Sequence, residues 1–180
     1  MNKTIQMLFD EHEIIVNAID AAKQLKPQPG KNDKQYEQNV RDLIDFFRNY
    51  ADNFHHFKEE QILFPAMKKK NELLEDGILK EMFDNHEEFR EMIKSIEKFL
   101  DEKNYMRAQQ QLVIYTEALL DHIAVENDEV FQMAETLLTE DELKKMLFDF
   151  EDADIELGGG KKQEFQELAD LLRKNLHYTD

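Results

Sequence analysis

Two stretches of the chain carry the same pattern of side chains that can bind a metal ion. The segment HHFKEEQILF, which begins at His55, aligns without a gap with HIAVENDEVF, which begins at His122. Glu59 then lies over Glu126, so each copy contains a histidine followed four residues later by a glutamate. On a helix, two such side chains share one face, with about 5–6 Å between their Cβ atoms. The repeat therefore predicts ligands for one metal ion, or for two ions close together.

Two further histidines fall on the apolar faces of predicted helices. His12 belongs to a stripe with Ile15, and His86 to a stripe with Phe89. Burying four imidazoles and two carboxylates together is costly unless something satisfies them, and a pair of metal ions would do so. The alternative interpretation is a buried polar network without metal. The predicted metal ligands are His12, His55, Glu59, His86, His122 and Glu126.

A second His-x-x-x-Glu pair, formed by His56 and Glu60, overlaps the first pair. Traced back in helical steps, the face that carries His55 is apolar. The face that carries His56 instead holds the polar residues Asp52, Asn49 and Asp45. We therefore expect His55 and Glu59 to lie inside, with His56 and Glu60 on the flank or as the alternative pair.

Apolar residues at the helical period predict four long helices joined by short loops. They cover residues 3–25, 34–65, 78–101 and 104–137, and each places one of the four candidate histidines on its apolar side. Pro65 is expected to bend or end the second helix. The sequence thus predicts an all-α fold, with the four helices in an antiparallel up-down bundle around the metal site.

The C-terminal part of the chain predicts one or two additional helices. Thr139 and Glu142 have the spacing of a capping box and open a helix that extends to about residue 152. The run of glycines at 158–160 then separates a last amphipathic helix, expected over residues 161–176, and His177 beyond it is expected at the surface. We divide the chain into a bundle domain and a glycine-linked helix. Their predicted boundaries are 1–155 and 156–180.

Composition excludes several kinds of partner and site. The chain has 23 Lys and Arg against 40 Asp and Glu, a formal charge of −17, which argues against binding to nucleic acid or to anionic membranes. It has no cysteine, which excludes thiolate zinc sites and iron–sulfur clusters. The sequence shows neither a signal-peptide pattern nor a membrane span, so we expect a cytoplasmic protein.

The six candidate ligands, with the tripeptide LFP after the first pair, resemble the hemerythrin-like HHE cation-binding family over about residues 5–135. The resemblance implies a hemerythrin-type bundle that encloses a di-iron centre with an oxo or hydroxo bridge. In that centre Glu59 and Glu126 would bridge the two irons, and the four histidines would be terminal ligands. Oxygen-carrying hemerythrins have one more histidine on the third helix, where this chain has Met82 and Arg90. We therefore expect a fifth imidazole to be missing and the centre to be more open.

The leading functional hypothesis is a non-haem di-iron protein that binds or reacts with oxygen, nitric oxide or peroxide, in oxygen or redox sensing or handling. One alternative is a di-iron enzyme that decomposes peroxide or reduces nitric oxide, although no catalytic residue can be named. Another is an iron donor in iron–sulfur cluster repair. The last helix could also dock on the bundle, on a second copy in a homodimer, or on a protein partner.

Overall fold

The computed structural model describes residues 1–176, and within that range every regular element is helical. The longest helices are α1 (Lys3–Gln24), α4 (Ile78–Asp101) and α5 (Tyr105–Val125). The others are α2 (Asp33–Phe46), α3 (Phe64–Lys70), α6 (Phe131–Leu137), α7 (Glu140–Leu157) and α8 (Gly159–Leu176). The all-α prediction is confirmed, and His177 lies outside the described residues.

Three π-helical segments interrupt the α-helical winding. They are π1 (Phe47–His56), π2 (Glu59–Leu63) and π3 (Glu126–Val130). The π-helix is rare in proteins; it occurs mostly as single turns inside α-helices, and these are frequent at functional sites. Segments π2 and π3 each begin at the glutamate of a His-x-x-x-Glu pair, so the repeat in the sequence is also a repeat in backbone structure.

The second predicted helix runs beyond Pro65, contrary to expectation. Pro65 is the second residue of α3, and helical structure continues to Lys70. Because the winding changes from π2 to α3 just before it, Pro65 occupies a first helical turn. A proline is tolerated there, since its missing N–H is not needed by the new helix.

The hydrophobic core is divided into two clusters, and the candidate histidines lie at the level between them. Along α1, Leu8 belongs to one cluster and Ile15 to the other, with His12 between them. Along α4, Met82 and Phe89 flank His86 in the same way. Each helix thus anchors its histidine from both sides with buried apolar side chains, which fixes the direction of the imidazole.

The last two helices pack onto this core. Thr139 and Glu142 form the predicted capping box at the start of α7, which extends to Leu157 and is longer than predicted. Helix α8 packs against α1, and the ring of Phe165 lies 6.0 Å from that of Phe46. Of the three docking surfaces considered for this helix, the structure shows the first, because α8 packs on the other helices of the same chain. Over residues 1–176, no helix has the length and apolarity required to cross a membrane.

Candidate metal centre

Four of the six predicted ligands meet in one group. His12, His55, Glu59 and Glu126 offer ligand atoms that all lie within 4.8 Å of one another. Nε2 of His12 is 3.3 Å from Oε2 of Glu126, and Nε2 of His55 is 3.4 Å from Oε1 of Glu59. The group combines residues from α1, π1, π2 and π3, so it forms only when the chain is folded.

The other two predicted ligands meet in a second group, which contains an additional histidine. The ring nitrogens of His56, His86 and His122 also lie within 4.8 Å of one another. Nε2 of His86 is 3.0 Å from Nε2 of His122, and the ring of His56 stacks on that of His86 with 3.7 Å between centroids. The site therefore contains five imidazoles, divided three and two.

Each of the two glutamates faces both groups. The second oxygen of Glu59, Oε2, lies 3.7 Å from Nε2 of His86. The second oxygen of Glu126, Oε1, lies 3.2 Å from Nε2 of His122. Each carboxylate therefore has one oxygen toward the pair of imidazoles and one toward the set of three, which is the arrangement that two carboxylates bridging two metal ions require.

The expectation that His56 lies on a polar flank is wrong. His56 is only 3% exposed, and a fifth imidazole does lie at the site, although not on the third helix. The cause is π1, which ends at His56. In a π-helix each residue advances less around the axis than in an α-helix, so the adjacent His55 and His56 can both face the core. The histidine doublet was the available signal, and an α-helical projection concealed it.

Several buried polar atoms at the centre have no hydrogen-bond partner among the described residues. They include both carboxylate oxygens of Glu59 and of Glu126, and Nε2 of His12 and of His55. Both glutamates are fully buried. An ionised carboxylate in this state costs several kcal/mol. Divalent cations between the two groups would satisfy all of these atoms, and imidazole with carboxylate suits Fe, Mn or Zn.

The other ring nitrogen, Nδ1, of all five histidines faces a polar side chain. In metalloproteins such a contact holds the ring so that Nε2 points at the metal, and ligating histidines almost always have one. His56 follows the same pattern as the four predicted histidines. Four of the contacts are with a side-chain oxygen: His12–Asn127 (2.8 Å), His55–Glu11 (2.9 Å), His56–Asp52 (3.3 Å) and His86–Glu60 (2.8 Å). In the fifth, Nδ1 of His122 lies 3.3 Å from the amide nitrogen of Asn85.

The charge state of the first group follows from its contacts. Burial opposes ionisation of Glu11, but the hydrogen bond from His55 and the charge of Lys58 outweigh it and lower the pKa of Glu11 to about 2. Burial also disfavours the imidazolium of His55, but the charge of Glu59 and the hydrogen bond to Glu11 raise its pKa to about 10. In the metal-free protein, His55 therefore holds a proton at pH 7.

In the second group the pKa values of His56 and His122 are shifted in opposite directions, and Glu126 of the first group contributes to the shift of His122. Burial and the neighbouring His86 hold the pKa of His56 well below its usual range. For His122, burial is outweighed by the charge of Glu126, which raises the pKa of the imidazole. For Glu126, burial is likewise outweighed, and the charge of His122 and contacts with His12 lower the pKa of the carboxyl. His56 is thus neutral and ready to bind a cation.

A surface pocket of about 270 Å³ reaches the centre from outside at His56. Phe89 and Tyr115 contribute apolar parts of its wall, and Arg90 a charged part. The remaining candidate ligands do not line it. The pocket gives a small molecule a route from solvent to the side of the centre that holds His56.

Comparison with known proteins assigns most of the chain to one family. A family model described as Hemerythrin HHE cation binding domain matches residues 3–134. The matched segment contains both groups of candidate ligands, from His12 to Glu126. No curated protein and no solved structure matches the chain.

Proposed function

The chain belongs to the hemerythrin HHE cation-binding family, and from that premise we propose a non-haem di-iron protein that binds or reacts with oxygen, nitric oxide or peroxide in sensing or handling these molecules. The observation that carries the proposal is the pair of buried glutamates. Their four oxygens are divided between two groups of imidazoles and have no hydrogen-bond partner among the described residues.

In this proposal Glu59 and Glu126 would each hold both ions, and His12 and His55 would hold one of them. The other three imidazoles, including that of His56, would hold the second ion. With fewer protein ligands, the ion at His12 and His55 would be the one more open to an external ligand. When bound, two ferrous ions supply electrons for reduction of a diatomic molecule or peroxide. The surrounding helices are proposed to form an antiparallel four-helix bundle, which keeps bulk water away.

The decisive experiment is the metal content of freshly purified protein, paired with its visible spectrum before and after addition of oxygen, nitric oxide or peroxide. We expect two irons per chain and a spectrum that changes with at least one of these ligands. Zinc in place of iron, or iron without any spectral response, would contradict the proposal.

An enzyme is the second candidate, because the pocket beside His56 is open to solvent and would allow repeated exchange of small substrates. The distinction is quantitative. Consumption of peroxide or nitric oxide beyond one equivalent per centre favours an enzyme, whereas a single stoichiometric reaction favours a carrier or a sensor.

Metal affinity should rise with pH, because His55 must lose a proton before Nε2 can bind a cation. With its pKa raised to about 10, we expect the affinity of the group that contains His55 for Zn²⁺, a probe without redox chemistry, to increase about tenfold per pH unit between pH 7 and 9. Chelator competition measures it, and a flat profile would contradict the charge state assigned to His55.

The raised pKa of His55 also stabilises the metal-free fold, and this stability should fall as pH rises, whereas metal affinity should increase. The stabilisation is fully present below the unfolded value of about 6.5 and is lost as pH rises toward 10, since the folded state then gives up the bound proton. Urea unfolding of metal-free protein at pH 6.5 and pH 9.5 should therefore show lower stability at the higher pH.

A further inference from the structure

A chain of buried charges leads away from His55. Glu11, which is 1% exposed, accepts a hydrogen bond from Nδ1 of His55 at 2.9 Å through Oε2. Its other oxygen, Oε1, accepts from the ammonium group of Lys58 at 2.5 Å. Lys58 is fully buried, and its ammonium lies 3.8 Å from the centre of the Phe54 ring. A buried ammonium is costly unless it is paired, so Lys58 depends on its acidic partners.

The same cluster continues into the last two helices. Asp154 of α7 accepts from Lys58 through Oδ1 and from Lys162 of α8 through Oδ2, both at 2.6 Å. Lys162 also donates to Oε1 of Glu11 at 3.4 Å. Helix α8 therefore contributes one charge to a cluster whose opposite end holds a candidate metal ligand.

Other described residues of α8 also contact the rest of the chain. Ala169 is buried, the ring of Phe165 lies 6.0 Å from that of Phe46, and Gln166 lies against the hydroxyl of Tyr50. Apolar contacts of this kind hold the helix in place but do not depend on the state of the metal centre. Among the described residues of α8, Lys162 is a charged residue that contacts Glu11 directly, so the charge of the centre can act on the helix through it.

We propose that Glu11, Lys58, Asp154 and Lys162 are positioning residues that couple the docking of α8 to metal binding at His55. The inference rests on the proposed function. A metal ion on Nε2 fixes the imidazole of His55, which fixes the carboxylate of Glu11 and the cations that it holds. By thermodynamic linkage, docking of α8 tightens metal binding by the same factor. A molecule that displaces α8 would weaken metal binding, and loss of the metal would weaken the docking of α8.

Hydrogen exchange on the full-length protein tests the coupling. The backbone amides of residues 160–171 are compared between metal-free protein and protein loaded with ferrous iron without oxygen, and we expect slower exchange in the loaded form. Lys162→Met keeps the aliphatic chain but removes the ammonium, and it should abolish the difference. Lys161→Met is the matched control, because Lys161 is exposed on the same helix; it should retain the difference.

Ferrous iron affinity, measured by chelator competition, is the reciprocal readout. Substitutions along a coupled network change binding by about 2- to 30-fold, and we expect Lys162→Met to weaken iron binding within that range. Glu11→Gln, which acts directly on His55, should weaken it by about 10- to 100-fold. Lys161→Met should leave it unchanged. Equal exchange of α8 with and without iron, or unchanged affinity in Lys162→Met, overturns the coupling.

These results are distinguishable from a failure of the proposed function. A protein that takes up no iron contradicts the di-iron proposal before α8 is considered. A protein that takes up two irons but leaves the exchange of α8 unchanged keeps the di-iron proposal and loses the coupling.

Discussion

Replacing Glu126 with alanine should reduce the iron content from two ions per chain to one or none and remove the visible spectrum of the centre. Glu126 faces His12 through one oxygen and His122 through the other, so in the proposed di-iron centre its loss would remove a ligand from both ions at once. Removal of residues that only orient a ligand already costs about 10- to 100-fold in metal affinity. Loss of a shared ligand should cost more. Iron analysis after desalting, with the spectrum of the same sample, measures the effect.

Two further variants separate loss of a ligand from loss of packing. Glu126→Gln keeps the size of the side chain but cannot supply two anionic oxygens, so it should lose iron nearly as completely as alanine does. Glu129→Ala changes an exposed glutamate in the same π3 segment and should keep both irons. If Glu126→Gln binds two irons with an unchanged spectrum, the carboxylate does not bridge them, and the role proposed for Glu126 is wrong.

Six of the seven residues that meet at the centre could be predicted from the sequence, because the relevant signals are local. His12 and His86 each sit in an apolar stripe of helical period, and such a stripe must face the core wherever the helix is placed. The repeated His-x-x-x-Glu pairs add a spacing that needs no tertiary information. All six predicted ligands accordingly lie in the two groups that the structure forms.

The placement of His56 could not be predicted in this way, because the projection assumed a uniform α-helix. Under that assumption His55 and His56 differ by about 100° around the axis, and only one of them can face a narrow core. The π winding of Phe47–His56 reduces the angle, and both become buried. Nothing in the composition of that segment signals a π-helix.

The residues that orient the histidines could not be predicted from the sequence, and the reason is different. Asn127 contacts His12 and Glu11 contacts His55, although 115 and 44 residues separate the members of these pairs. Which acid or amide meets which imidazole depends on how the helices pack. The same holds for Lys58 and Lys162, which are ordinary surface lysines by sequence. Lys58 meets Glu11 because the helical stretch between π1 and π2 packs against α1, and Lys162 meets it because α8 packs against α1.

Replacing His56 with glycine should weaken binding of the second metal ion by at least about 100-fold, since a direct ligand contributes no less than the residues that orient it. The imidazole ring would leave a vacancy that opens into the pocket of about 270 Å³ whose wall includes His56. Imidazole added at millimolar concentration should enter from that pocket and restore both the iron content and the spectrum. Glycine in a helix itself costs about 1 kcal/mol, and Phe57→Gly at an exposed neighbouring position measures that cost separately.

His86→Gly is the matched comparison that makes the rescue specific. His86 belongs to the same group of three imidazoles but has no exposed surface and does not line the pocket. Its loss should therefore be as damaging as that of His56, without rescue by imidazole. If His56→Gly keeps two tightly bound irons, the fifth imidazole is a core residue, and both ions are equally open to external ligands. If it loses iron and imidazole restores it, His56 is a ligand of the centre, and the imidazoles are divided three and two between the ions, as the proposal requires.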